Sequence, residues 1–161
     1  MSLSQAKILM TGLAKMLGVQ GDVMGDDGMC TVTLEQPWMP PVHIVYIDSD
    51  NSMLFFAEIG ILETERETEI LKELMQRQYL FSGTNGVTAS LSGDNNMLTA
   101  QFKFGLAELT ESDLAFHLNN FAGEAACMKL LVYGEELGAQ PEKPDDSADA
   151  GAVPKENFLA I

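Results

Sequence analysis

The feature that most constrains this chain is a pair of short apolar runs joined by a polar turn. His43 to Ile47 and Met53 to Ile59 flank Asp48-Ser49-Asp50-Asn51-Ser52. A connection this short leaves room for a hairpin and none for a crossover, so the two runs are antiparallel strands. Side chains alternate between the faces of a strand. Ile44 and Tyr46 therefore share one face of the first run, and Val45 and Ile47 the other. In the second run Met53, Phe55, Ala57 and Ile59 oppose Leu54 and Phe56. A sheet with one dry face alternates apolar with polar residues. Here both faces are apolar, so either other elements cover both or one face takes a partner.

The flanking sequence supplies the other elements. Residues 4–17 place Ile8, Leu9, Leu13, Met16 and Leu17 at helical spacing, with Ser4 at the N-cap position and Gly18 as a stop. After a Gly- and Asp-rich turn, Met29 to Glu35 alternates, with Cys30, Val32 and Leu34 opposite Thr31, Thr33 and Glu35. Pro37, Pro40 and Pro41 stiffen a loop around Trp38 and Met39. The tryptophan is either an exposed apolar group or folds over the sheet edge. A second helix is predicted over 63–79, opened by a capping box of Thr64 and Glu67. Its stripe of Ile70, Leu71, Leu74 and Met75 runs directly into Tyr79, Leu80 and Phe81. That stripe either packs on its own sheet or makes a two-fold contact with a second copy. Val87 to Ser92 and Met97 to Leu106 form a hairpin about Gly93-Asp94-Asn95-Asn96. Thr110 and Asp113 open a third helix that runs to about Leu137. The order α-β-β-β-α-β-β-α predicts an α+β domain, a twisted and mostly antiparallel sheet flanked by helices, over residues 1–138. The remaining residues, 139–161, are rich in Pro, Asp, Glu, Ala and Gly, the composition of a disordered acidic tail, and close on Phe158, Leu159 and Ile161.

Charge and motif content exclude several functions. Asp and Glu number 24 against 9 Lys and Arg, a formal charge of −15. Such a chain repels a polyphosphate backbone and an anionic membrane surface, so no nucleic-acid partner and no membrane insertion are expected. No apolar run approaches the ~20 residues of a membrane-spanning helix. Lys7 and Lys15 bracket the first apolar stretch, and Thr11 and Gly12 interrupt it, unlike a secretory leader. Two cysteines, Cys30 and Cys127, make no disulfide framework and read as small buried hydrophobes in a reducing, cytoplasmic setting. Neither His43 nor His117 has a second histidine at metal-ligand spacing. The Asp48–Ser52 turn begins like a calcium loop, but its sixth position is Met53 and its twelfth Ile59. No phosphate-cradling glycine motif occurs. No catalytic residue, metal or cofactor is therefore expected, and the chain reads as a binding protein. Ten methionines, seven of them within the first 53 residues, either fill core gaps or suit a surface that accepts varied apolar ligands.

Several local patterns resemble one family. These are Gly86-Val87-Thr88-Ala89-Ser90-Leu91-Ser92-Gly93-Asp94 with Asn96-Met97-Leu98-Thr99-Ala100, and the acidic helix start Leu109-Thr110-Glu111-Ser112-Asp113-Leu114. With Leu118-Asn119-Asn120-Phe121-Ala122-Gly123-Glu124-Ala125 they resemble the hairpin and closing helix of class I type III secretion chaperones, the Tir-chaperone family. Leu54-Phe55-Phe56-Ala57-Glu58-Ile59-Gly60, followed by the Ile70, Leu71 and Leu74 helix, resembles the middle of the family. The resemblance covers about residues 4–137. It implies a homodimer in the bacterial cytoplasm that holds the N-terminal segment of one or a few secreted effectors in extended form. It also implies that no ATP is used, and an encounter with the ATPase of the secretion apparatus. Mapped onto this sequence, the effector-binding residues are Leu9, Leu13, Met16, Val32, Leu34, Ile44, Tyr46, Phe55 and Phe56, with Trp38 of the stiff loop beside them. The implied dimer residues are Ile70, Leu71, Leu74 and Met75, with Leu98 and Phe102. The Pro37–Pro41 loop and the 139–161 tail depart from the family pattern. The tail is either a solubilising extension or an occupant of a neighbour's groove. A regulatory or scaffolding module of the same fold, with no secretion role, is the alternative reading.

Overall fold

Hairpin chemistry sets the centre of the structure. In the computed structural model, which describes residues 3–18, 23–34, 36, 38–107 and 109–134, the two apolar runs form an antiparallel pair. Their connection turns through Asp48–Asp50 and closes at Asn51, whose φ of 52° is left-handed. Asparagine tolerates that region better than most side chains. The Ser52 hydroxyl donates to Asp50 at 2.5 Å and ties the turn down.

The elements are α1 (Leu3–Met16), β1 (Met29–Val32), β2 (Val42–Ile47), β3 (Ser52–Ile61), α2 (Glu67–Gln78), β4 (Thr88–Leu91), β5 (Met97–Gly105) and α3 (Glu111–Tyr133). This is the order read from the sequence. One five-stranded sheet, β1-β2-β3-β5-β4, is antiparallel throughout. The ten-residue β3 is its central strand, and a register shift between Glu58 and Gly60 interrupts its pairing with β5. Gly60 lies against the Tyr133 ring at the end of α3, where a Cβ would overlap that ring. The acidic tail expected over 139–161 lies outside the described residues.

The register sorts the strand side chains into two sets. Cys30, Ile44, Phe55 and Phe102 are cross-strand partners on one face, as are Tyr46, Met53 and Phe104. The helices pack here. Phe55 meets Phe121 of α3 edge-on at 5.8 Å and Phe104 at 5.0 Å. Leu9, Met10 and Leu13 of α1 join the same core, as do Ile70 and Leu74 of α2. Helices on one side and a sheet on the other make a two-layer α+β fold.

Two helix starts behave differently. At α3, Thr110 Oγ1 accepts from the Asp113 backbone N–H at 3.2 Å, while the Asp113 carboxylate accepts from Thr110 N–H, closing the capping box as predicted. At α2 the expected Thr64 and Glu67 box does not form. The helix opens at Glu67, and residues 63–66 make a plain turn in which Arg66 N–H donates to Glu63 at 3.1 Å. The Arg66 guanidinium reaches α3 instead, donating to the carbonyls of Val132 at 3.0 Å and Leu131 at 3.3 Å. Those carbonyls lack helical partners and carry the negative end of the helix dipole. Arg66 thus caps the end of α3, while α2 starts without a side-chain cap.

Candidate functional site

Two apolar surfaces stand out among the described residues once the core is filled. The first is the far face of the sheet. Pairing places Met29 beside Val45, Val45 beside Leu54, and His43 beside Phe56 on this side. Met29 is exposed and the other four are only half-buried. His43 stacks on Phe56 with ring centroids 4.8 Å apart, and shares a 2.9 Å hydrogen bond with Thr31. Leu54 and Phe56 pair across to Lys103 and Gln101 of β5. The apolar stripe is therefore bounded by polar side chains. Lys103 is ion-paired with Asp50, and together with Ser52 it holds the Asp50 carboxyl below the usual carboxylate range.

The second surface is the outer side of α2. Ile70 and Leu74 turn inward, which leaves Leu71 half-buried and Met75 72% exposed. An open groove of about 660 Å³ runs along Thr68, Leu71, Lys72, Met75, Gln76 and Tyr79. The helix then breaks at an elbow, Tyr79–Phe81, where Leu80 and Phe81 have φ of 53° and 55°. Left-handed backbone costs a residue with a Cβ about 1–2 kcal/mol. Leu80 is 79% and Phe81 55% exposed, so burial within the protomer does not offset that cost. Polar contacts hold the elbow instead. Gly83 N–H donates to the Arg77 carbonyl at 3.0 Å. Arg77 also lies 3.7 Å from Glu124 of α3, which accepts from Asn85 at 2.8 Å. Strain held in place while apolar side chains project into solvent is a mark of a contact surface.

The residues singled out from the sequence divide between core and surface. Leu9, Leu13, Val32, Leu34, Ile44, Tyr46 and Phe55 are buried. Leu13 and Val32 also line a small cleft of about 120 Å³ between α1 and β1. Met16 is exposed, and Trp38 and Phe56 are half-buried. Among the implied dimer residues, Ile70, Leu74 and Leu98 belong to the protomer's core and Phe102 packs beside His117. Leu71 and Met75 face outward. Val45, Leu54 and Met29 were not among the residues singled out. For Val45 and Leu54 the signal was the second apolar face of β2 and β3, and Met29 joins them through the β1–β2 register.

Among the described residues no cluster of three or more His, Cys, Asp or Glu side chains is placed to hold a metal, and no helix is long and apolar enough to cross a membrane. Burial pushes the Cys30 thiol up to about 11, so it is neutral near pH 7. Cys127 is exposed, unlike the small buried hydrophobe the sequence suggested, because it falls on the solvent side of α3. Tyr46 is held above its ordinary value by burial, and by its 3.1 Å hydrogen bond to Asp48.

Comparison with known proteins gives these surfaces a context. The sequence matches the family model described as the Tir chaperone protein (CesT) family over residues 9–128. No curated protein sequence matches it. The fold is similar to a chain of the HopA1–SchA chaperone–effector complex, with a TM-score of 0.63 at 13% identity, covering 80% of this chain and 98% of that one. It is similar also to a chain of the heterodimeric ExoU–SpcU complex from the type III secretion system of Pseudomonas aeruginosa. There the TM-score is 0.62 at 12% identity, with coverage of 76% and 96%. YbjN from E. coli, provisionally a transcription regulator, matches with a TM-score of 0.56 at 14% identity, covering 84% and 94%. At such identities the structural likeness establishes the fold, and the family match carries the classification.

Proposed function

Because the chain belongs to the Tir chaperone protein (CesT) family, whose match spans residues 9–128, we propose that it acts as a type III secretion chaperone. It binds the N-terminal segment of one or a few effectors in extended form and keeps them soluble and competent for export. The family match is the observation that carries this reading. The open sheet face supports it, since an extended apolar segment fits a pleated surface bearing Val45, Leu54 and Phe56. The Leu13 and Val32 cleft offers a second foothold near Met16. The reading assigns no catalytic step, no cofactor and no ATP use, because binding energy alone holds the client. It places the protein in the bacterial cytoplasm, where it meets the secretion ATPase only as a loaded complex.

The same reading makes the protein a homodimer through the outer side of α2. Leu71, Met75, Tyr79, Leu80 and Phe81 form one surface that carries both a groove and a projecting elbow. A two-fold contact needs a surface complementary to itself, and a knob beside a hole meets that need.

The test is capture of the tagged protein from its native host under secretion-inducing conditions, followed by limited proteolysis of what binds. The expected result is one secreted protein whose N-terminal segment is protected while the rest of the captured chain is cut normally. A folded regulatory partner protected throughout would refute the chaperone reading.

A further inference from the structure

One carboxylate of α3 touches both sides of the elbow that follows α2. Oε1 of Glu124 accepts from the Asn85 side-chain amide at 2.8 Å, and Oε2 lies 3.7 Å from the Arg77 guanidinium. Arg77 precedes the elbow at Tyr79–Phe81 and Asn85 follows it. The base of the same segment is closed by Gln78, whose Oε1 accepts from the Ala89 N–H of β4 at 3.0 Å. What lies between is costly to hold. Leu80, Phe81 and Asn85 all have left-handed backbone, with φ of 53°, 55° and 47°. Thr84 is fully buried, and its hydroxyl oxygen finds no hydrogen-bond partner among the described residues. The Glu124 side chain is only 14% exposed, and its Oε2 is likewise buried without a hydrogen bond. Left-handed side-chain-bearing residues and unpaired buried oxygens persist where the surroundings enforce them, and they gather at functional sites. A carboxylate is expensive to bury unless a cation stands against it. A neutral amide at position 124 would serve Asn85 equally well, so the charge is explained by Arg77. Glu124 itself lies on α3 and does not line the α2 groove.

We propose that Glu124 is a positioning residue for self-association: its carboxylate clasps the two arms of the elbow and fixes the direction in which Leu80 and Phe81 project. The inference rests on the reading of the outer side of α2 as a homodimer contact. Loss of the clasp leaves the core intact, because Leu118 and Phe121 pack on the inner side of α3. The elbow then relaxes away from its left-handed backbone, and the contact surface loses its shape. A surface already ordered in the free protomer gives up less conformational freedom on association and therefore binds more tightly. A residue outside the contact thus governs its strength.

The test compares the full-length chain with its Glu124→Ala, Glu124→Gln and Asn85→Gly variants. Glycine suits the left-handed backbone at position 85 and removes the amide. Amide hydrogen exchange is followed in dilute solution at Gly83 and Val87, whose N–H groups donate to the carbonyls of Arg77 and Thr84. Self-association is followed by sedimentation equilibrium. Glu124→Ala should speed exchange at Gly83 and Val87 about tenfold or more while Leu118 and Phe121 stay protected, the mark of a local opening. It should also weaken self-association about tenfold, and Asn85→Gly should add little on top of it, as expected of two residues that act through one contact. Glu124→Gln should restore part of both effects, since its carbonyl still accepts from Asn85. Unchanged exchange at Gly83 and Val87 in Glu124→Ala would overturn the proposal. So would equal acceleration at Leu118 and Phe121, which would make Glu124 a general stabiliser of α3, or a looser elbow in a dimer of unchanged strength. A wild-type chain that stays monomeric at every concentration would sink the homodimer reading alone, with the exchange result still deciding the clasp.

Discussion

Cys127 and Cys30 are two copies of one side chain given opposite chemistry by position. Burial raises the Cys30 thiol from 9.0 to about 11, which lowers its thiolate fraction about 100-fold at neutral pH. Cys127 stands in solvent. A native protein treated with a thiol reagent near pH 8 should therefore modify Cys127 first and Cys30 much more slowly. Peptide mapping of the early product checks this, and equal early labelling would contradict the partial burial of Cys30. Asp113 makes a second residue-level case. Its carboxyl is held below the ordinary 3.8 by the Thr110 hydroxyl first and the Thr110 backbone N–H second. A depressed carboxylate stabilises the fold above its unfolded value, and that contribution fades as pH falls through the lower folded value. Asp113→Asn should accordingly flatten the loss of stability below about pH 3.8. Thr110→Ala should cost about 1 kcal/mol at neutral pH, read by thermal or denaturant unfolding.

At the scale of elements, the elbow after α2 is the feature with the clearest cost. Leu80→Gly removes the left-handed penalty, so the dilute protomer should keep its stability or gain about 1 kcal/mol. Self-association should weaken in the same variant, because Leu80 projects from the proposed contact surface. Loss of protomer stability with unchanged association would instead assign the elbow to internal packing. The elbow also marks where sequence reading stops. Leu-Phe carries no left-handed signal of the kind Gly or Asn gives, and part of what holds the following loop comes from another helix, where Glu124 accepts from Asn85 and lies 3.7 Å from Arg77. The Arg66 contacts at the start of α2 were equally hidden, since their partners are carbonyls more than sixty residues away. Elements whose determinants are local were legible. The Thr110 and Asp113 box, the β2–β3 hairpin and its two apolar faces, and the element order all follow from neighbours in sequence. Which of the two sheet faces the helices would choose is a long-range outcome, so Ile44 and Phe55, inside, looked the same as Val45 and Leu54, outside. Core and contact surface are built from one apolar chemistry, and only the packing tells them apart.

For the whole molecule, assembly and charge decide the behaviour. Met75→Asp places a charge in the α2 groove of each protomer, and in a two-fold dimer the two copies lie close together. Sedimentation equilibrium should then report a monomer with far-ultraviolet helicity unchanged, whereas an intact dimer would exclude the outer side of α2. The formal charge of −15 acts at longer range. Association with a basic client segment should slow as salt rises through the range where the Debye length falls below about 10 Å, while dissociation changes little. Stopped-flow measurements at two ionic strengths separate these rates, and a salt-independent on-rate would remove steering from the mechanism. The two-layer plan has a last consequence. The side chains that hold the domain together sit between the layers, and those at Val45, Leu54 and Phe56 sit outside them. Exchanging the outer set costs the fold little, since surface substitutions usually fall within about 0.5 kcal/mol. On the client surface proposed above, a lineage built on this plan would be free to drift in which clients it accepts while its thermal tolerance stays constant.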